Sequence, residues 1–282
     1  MALDIDGTLL NSRGLVSDAN KQAVDAALER GVQVVLVTGR RFSMAEPIAI
    51  LFDHDLIVVA NNGAVVRTSR SHRLLYRNPL PLEAALAVLR ATRAFRSSCV
   101  AHAEEPGFEQ LVCESIDPEN RPLQWYLNKS KESVHQVESL ENFLTVDPIQ
   151  LMFGGNVERM NGVVGAVEPL ARKGQVRVTK TEYLHRDVSI VDVLSPSSGK
   201  AVALDFLLQQ SQWTHKNLMA VGDNHNDHDM LELATVAVVM GQSVEGLKTA
   251  GRYVTASNDE NGVAQAIERF VLDRKPLSVN PS

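Results

Sequence analysis

Close to its start the chain sets two carboxylates two residues apart, in Asp4-Ile5-Asp6-Gly7-Thr8, where a short apolar stretch gives way to a turn. On an ideal strand the two would share a face, and Gly7 favours a turn that redirects Asp6 toward the same anion. Phosphoryl transfer needs an in-line nucleophile, a proton donor for the leaving oxygen and positive charge for the phosphoryl oxygens; two neighbouring carboxylates can divide the first two roles. Asp-Gly is equally an ordinary strand-to-turn pair, so the segment alone leaves both readings open.

Three further clusters lie where an apolar run ends or a helical pattern begins. Asp223 follows Ala220-Val221-Gly222, and Asp227 stands four residues on, at a predicted helix start. Mg²⁺ takes few protein carboxylates and completes its octahedron with water and substrate phosphate, so Asp4 with Asp223 would suffice. Acids also suit a helix N-terminus through its dipole, which accounts for Asp227 as well as function does. Lys200 opens a helix after Ser195-Pro196-Ser197-Ser198-Gly199, where an ammonium and free N–H groups could meet one phosphate; a lone lysine is otherwise a solvated charge. Thr38, before Gly39, offers a hydroxyl and a close backbone approach. Arg40 and Arg41 could meet a second anionic group or pair with surface acids.

Other residues argue less. His225 and His228 lack a third nitrogen ligand, and hard oxygens beside them suit magnesium, so no transition-metal site is expected. Trp125 and Tyr126 read as packing residues, while His102, Glu104 and Glu105, after a predicted strand, are minor candidates for facing a leaving group. Asn61 and Asn62 sit in a turn that substrate contact and plain turn chemistry explain equally well.

The elements that must position these residues alternate as in a parallel sheet with crossover helices. Strands are predicted at Ala2 to Ile5, Val32 to Val37, Leu56 to Ala60, Leu218 to Val221 and Val236 to Met240, with helices at Asn20 to Arg30, Gly199 to Gln209, Asp227 to Leu233 and Asn261 to Leu272. The middle differs: a helix from Glu83 to Phe95 and others near Glu158 to Ala171 lie among strands at Cys99 to Ala103, Gln110 to Glu114, Ile149 to Phe153, Val176 to Thr179 and Ser189 to Leu194. The expectation is an α/β, doubly wound, Rossmann-like core of residues 1–80 and 195–282 with an α+β cap inserted at 81–194. Lys275 to Ser282 reads as a loose tail.

Composition bounds the partners. The 282 residues are 44% apolar, enough for a substantial core, and 34 acidic against 28 basic residues give a net charge of -6. That balance favours neither nucleic acid nor an anionic membrane, and with no targeting or membrane-spanning pattern a cytoplasmic location is expected. Cys99 and Cys113 match neither a zinc nor a redox spacing and read as buried, reduced thiols. Oligomeric state has no sequence signal.

Asp4-Ile5-Asp6-Gly7-Thr8-Leu9-Leu10, Thr38-Gly39-Arg40, Gly199-Lys200 and Gly222-Asp223-Asn224-His225-Asn226-Asp227, in this order, resemble the four motifs of the haloacid dehalogenase-like hydrolases. Ser257-Asn258-Asp259-Glu260-Asn261-Gly262-Val263 and the large insertion are similar to the Cof-type phosphatases among them. The resemblance implies that Asp4 becomes an aspartyl-phosphate while Asp6 protonates the leaving alcohol and then activates water. It further implies that Thr38 and Lys200 hold the phosphoryl oxygens with Asn226 beside them, and that Mg²⁺ binds Asp4, the Asp6 carbonyl and Asp223 with Asp227 in support. The implied substrate is a small phosphorylated metabolite, a sugar phosphate foremost; a phosphomutase and a catalytically silent binding module are the alternatives. Two departures stand out. Only three residues precede Asp4, so the central strand would be short or the native start lies further upstream, and Gln242 follows Gly241 where the subgroup commonly has Asn.

Overall fold

The computed structural model describes residues 1–105, 108–129, 134–183, 186–248 and 252–273. The predicted tail from Lys275 and the side chains of Glu104 and Glu105 lie outside that description.

The first apolar runs form β1 (Ala2–Asp4), β2 (Val35–Val37) and β3 (Ile57–Ala60), joined by α1 (Asp18–Glu29) and α2 (Phe42–Ala49). Ser17 caps α1 by accepting the Asn20 N–H, satisfying one of the free donors of the first turn. After β3 the chain reverses through β4 (Val65–Thr68) and β5 (Leu74–Arg77), an antiparallel hairpin on an otherwise parallel sheet.

The middle of the chain contributes α3 (Leu82–Ala91), β6 (Cys99–Glu105), β7 (Phe108–Cys113), α4 (Arg121–Asn128), β8 (Val134–Gln136), α5 (Leu140–Phe143), β9 (Gln150–Gly155), α6 (Val157–Arg172), β10 (Arg177–Tyr183) and β11 (Val188–Leu194). It then returns through α7 (Lys200–Gln210), β12 (Met219–Gly222), α8 (His228–Leu233), β13 (Val236–Val239), β14 (Tyr253–Val254) and α9 (Gly262–Ile267).

Two sheets result. The first has eight strands in the order β14-β13-β12-β1-β2-β3-β4-β5; the second has six, β10-β11-β9-β6-β7-β8, antiparallel except where β7 meets β8. Alternation along the strands gives the first sheet two apolar faces. Leu3, Leu36, Val58 and Val221 pack with α1, α2 and α9, while Ala2, Val35, Val59 and Ala220 pack with α7 and α8. One face of the second sheet is sealed by α3 and α6 through Leu89, Val163, Leu151 and Val191. Its other face carries α4 at one end and turns a polar strip toward the first sheet.

The mixed sheet and flanking helices are the α/β fold expected, with an antiparallel edge that the period of the sequence did not announce. Cys99 and Cys113 are buried and unpaired. No helix among the described residues is long and apolar enough to cross a membrane.

Candidate active site

β1 is only three residues long, yet it is central, with Ala2 and Leu3 paired to β12 and Ala2 to Asp4 paired to β2. Asp4 therefore ends a strand fixed on both sides. By alternation it points to the same side as Ala2, the side covered by α7. Lys200, the first residue of that helix and only 1% exposed, reaches it with Nζ 2.7 Å from Asp4 Oδ1.

The same ammonium donates to Asp227 Oδ1 at 2.5 Å. Asp227 is fully buried and its other oxygen accepts the backbone N–H groups of Asp223 and Asn224, at 2.9 and 3.0 Å. Gly222 makes room for this, since a Cβ there would lie 2.7 Å from the Asp227 carboxyl carbon. Asp223 accepts from Thr8 Oγ1 at 3.3 Å.

Asp4, Asp223 and Asp227 each offer an oxygen within 4.8 Å of the others, the only such group among the described residues. Three buried carboxylates against one ammonium leave an excess of negative charge. Burial, then repulsion from Asp227, pushes the Asp4 carboxyl well above its ordinary range, with Lys200 pulling the other way. Burial and Asp227 likewise push Asp223 up to about 8. For Lys200, burial works against the charge, but Asp227 and Asp4 outweigh it and hold the ammonium protonated. A hard divalent cation fits this donor set: it would offset the surplus charge and takes oxygen ligands.

Asp6 parts company with Asp4. The turn through Gly7, at φ 77°, carries its carboxylate outward, where it accepts from Arg40 Nε at 2.7 Å and Nη2 at 2.5 Å. The two carboxylates thus divide into one buried beside the lysine and one part-exposed in the cleft, instead of sharing a strand face. Arg40 is engaged by Asp6, and its own N–H donates to Thr38 Oγ1 at 3.0 Å. Thr38 is buried just beyond β2, and Gly39 lies against the Asn62 amide. Asn226 Nδ2 donates to Asn62 Oδ1 at 3.1 Å.

The four motif clusters consequently meet at the carboxyl ends of β1, β2 and β12. The remaining candidates sort differently. His225 and His228 face Glu182 and Glu232 across 3.7 and 3.5 Å, away from the carboxylate group. Trp125 is exposed, its ring under the Lys129 ammonium. Arg41 is buried 3.8 Å from Glu109.

Three residues at the site had no place in the sequence reading. Tyr183, at the end of β10, is within electrostatic reach of Asp6, Asp223 and Asp4; burial, then these charges, raises its hydroxyl pKa above the usual value. Gln150 and Asp192 lie on the face of the second sheet that looks at the core. Asp192 did leave a signal, a lone acid inside the apolar run Ile190 to Leu194, because a charge so placed needs buried partners. Gln242, the departure from Asn, bridges the site's rim: Nε2 donates to Gly7 O at 2.6 Å and Oε1 accepts the Asn258 N–H at 3.0 Å.

A sheet-end carboxylate–lysine centre roofed by an inserted α+β cap defines a class, the capped α/β phosphohydrolases. The family model of the haloacid dehalogenase-like hydrolases matches residues 1–267, and the chain belongs to that family. It is 28% identical to 5-amino-6-(5-phospho-D-ribitylamino)uracil phosphatase YwtE of Bacillus subtilis, over 96% of this chain and 97% of the relative. It is 25% identical to pyridoxal phosphate phosphatase YbhA of Escherichia coli, over 96% and 98% of the two chains. The crystal structure of a haloacid dehalogenase-like hydrolase from Bacteroides thetaiotaomicron superposes with a TM-score of 0.77 at 26% identity, covering 95% of this chain and 97% of that one. Like its relatives, the chain is a phosphoric monoester hydrolase.

Proposed function

We propose that the protein hydrolyses a small phosphomonoester in two steps through an aspartyl-phosphate on Asp4. The observation that carries this reading is the Asp4 carboxylate, buried at the end of the central strand within 2.7 Å of Lys200 Nζ. A carboxylate so desolvated is available for in-line attack, and the ammonium can shift from it to the phosphoryl oxygens.

In the first step an Asp4 oxygen bonds to phosphorus and the ester P–O bond breaks, with Asp6 giving its proton to the leaving alcohol. In the second, Asp6 takes a proton from water as that water attacks phosphorus, releasing inorganic phosphate and restoring Asp4. Both Asp6 oxygens accept from Arg40 here. If Arg40 turns to the substrate's anion, an Asp6 oxygen is freed to meet the leaving alcohol. Thr38, Gly39 and Asn226 line the remaining phosphoryl oxygens.

Asp4, Asp223 and the Asp6 carbonyl would hold Mg²⁺, with Asp227 fixing the Asp223 loop and the lysine. The ion supplies charge neutralisation for an anionic nucleophile meeting an anionic substrate. A relative named for a phosphoribityl compound supports a sugar- or polyol-phosphate as substrate, and one named for pyridoxal phosphate supports a small phosphomonoester more broadly.

The test is a phosphate-release screen over phosphorylated metabolites with and without Mg²⁺. Turnover that requires Mg²⁺ and disappears in Asp4→Asn with the fold intact is expected. Silence across the panel, or near-normal turnover by Asp4→Asn, would sink the reading.

A further inference from the structure

The turn at Asn61, Asn62 and Gly63 touches three polar loops of the site. Asn62 N donates to Thr38 O at 3.0 Å, and Gly63 presses so near Gly199 that a Cβ would lie 2.1 Å from its carbonyl oxygen, one residue before Lys200. Asn62 Oδ1 accepts from Asn226. Both asparagines of the turn have left-handed backbones, φ 49°, so their side chains are aimed by the chain itself.

The cap grips this turn at two points. Asn61 Nδ2 donates to His102 Nδ1 at 3.0 Å, and Asn62 Nδ2 donates to Asp192 Oδ2 at 2.8 Å. Asp192 Oδ1 accepts from Gln150 Nε2 at 2.9 Å. His102, Gln150 and Asp192 come from neighbouring strands and share one face, because His102 pairs with Gln150 and Met152, two residues on, pairs with Asp192. Asp192 is 4% exposed and Gln150 fully buried. A carboxylate is a costly occupant of such a place unless an acceptor is what the place requires.

The chemistry of the groups fixes their direction. Burial raises the Asp192 carboxyl to about 7, against the pull of Asn62 and Lys200; its ionised form only accepts, so Asn62 turns its NH₂ toward Asp192, as in the 2.8 Å contact, and its oxygen the opposite way. That oxygen then takes one N–H of Asn226, leaving the second N–H of the same amide for a phosphoryl oxygen. We infer that Asp192 is a positioning residue, which sets the Asn226 amide through Asn62 and so makes the phosphate contact depend on the cap being seated on the core. This rests on the reading of Asn226 as a phosphate contact. With the cap lifted, Asn62 loses its acceptor and the relay has no preferred sense.

Inorganic phosphate, as a competitive inhibitor of the ester found in the screen, reports the contact directly. Asp192→Leu keeps the bulk of the side chain but removes both acceptor oxygens. Inhibition by phosphate should weaken about tenfold, with kcat/KM falling in step. Asn226→Ala should show the same loss, and the double variant no more than either alone. Asn62→Gly, which suits the left-handed backbone and leaves Asp192 paired with Gln150, should reproduce it, and carries the test if Asp192→Leu does not fold. Additive losses, or unchanged phosphate inhibition in a folded Asp192→Leu or Asn62→Gly, would overturn the positioning role while wild-type turnover leaves the phosphatase reading standing. No Mg²⁺-dependent turnover by the wild type would overturn that reading and this inference with it.

Discussion

At the scale of single residues, the site is built by burying groups that water would otherwise keep apart. His102 shows the cost. Its Nδ1 faces the Asn61 amide nitrogen, which can only donate, so the ring is neutral with its proton on Nε2, toward the Tyr126 hydroxyl at 3.4 Å. Burial, then the Arg41 charge, lowers its pKa from 6.5 to about 3. Unfolded, the ring takes up a proton below 6.5; folded, it does not until far lower, so stability falls as pH drops through that window. By pH 5 the loss from this group is about 2 kcal/mol. Unfolding free energies measured at pH 7.5 and pH 5 should fall further in the wild type than in His102→Gln by that amount. An equal fall in both would show that the ring titrates normally. Gly7 is the second case: its φ of 77° suits glycine, and a Cβ would lie 2.3 Å from Asp223 Oδ2. Gly7→Ala should cost about 1–3 kcal/mol and displace Asp223, so turnover should fall more steeply than the melting temperature suggests. Full activity would mean that the loop yields freely.

At the scale of elements, the parallel strands were legible because each is a short apolar run ending in a polar cluster, and the four clusters do meet in space. The hairpin of β4 and β5 was not, since Arg67 and Arg77 break its alternation and its turn, Ser69 to Arg73, is fixed by Asp55, which accepts from Arg70, Ser71 N and Ser71 Oγ. Nor was the pairing of Asp6 with Arg40, which depends on how Gly7 turns and not on spacing. The cap's polar strip was hidden for a related reason: Asp192, Gln150 and His102 are 42 and 48 residues apart along the chain, and only strand register joins them. The segment 257–263 resembled a family block without an evident task. In the fold, Asn258 Nδ2 donates to Leu10 O at 2.8 Å and Asp259 Oδ1 accepts the Ser12 N–H at 2.8 Å, tying down the loop that follows Asp4. Asp4, the proposed nucleophile, stands on a three-residue strand and needs such a brace. Asn258→Ala removes the buried tie and should cost about 1–2 kcal/mol of stability, with a loss of kcat larger than any rise in KM because the loop that follows Asp4 and not the cleft is loosened. Steady-state kinetics beside thermal melting would decide; a pure KM effect would place the segment in substrate binding instead.

At the scale of the whole molecule, the unbalanced carboxylates make stability a report on the metal. Asp223, pushed up to about 8 by burial and by Asp227, binds a proton in the folded state at pH values where the unfolded chain, with its ordinary 3.8, does not. Without a cation, stability therefore declines as pH rises from the ordinary carboxylate range toward 8. A divalent ion held by the ionised carboxylates reverses this by replacing the proton, so the stabilisation it gives must grow with pH. At a hundred times its dissociation constant a ligand contributes about 2.7 kcal/mol, which in a chain of this size is a rise in melting temperature of about 5 °C. Thermal melts in Mg²⁺ and in chelator should separate by that much at pH 8 and by less at pH 6. Asp223→Asn should remove most of the separation while raising the melting temperature in chelator, because a buried repulsion is gone. A separation independent of pH, or one that survives in Asp223→Asn, would place the cation away from these carboxylates.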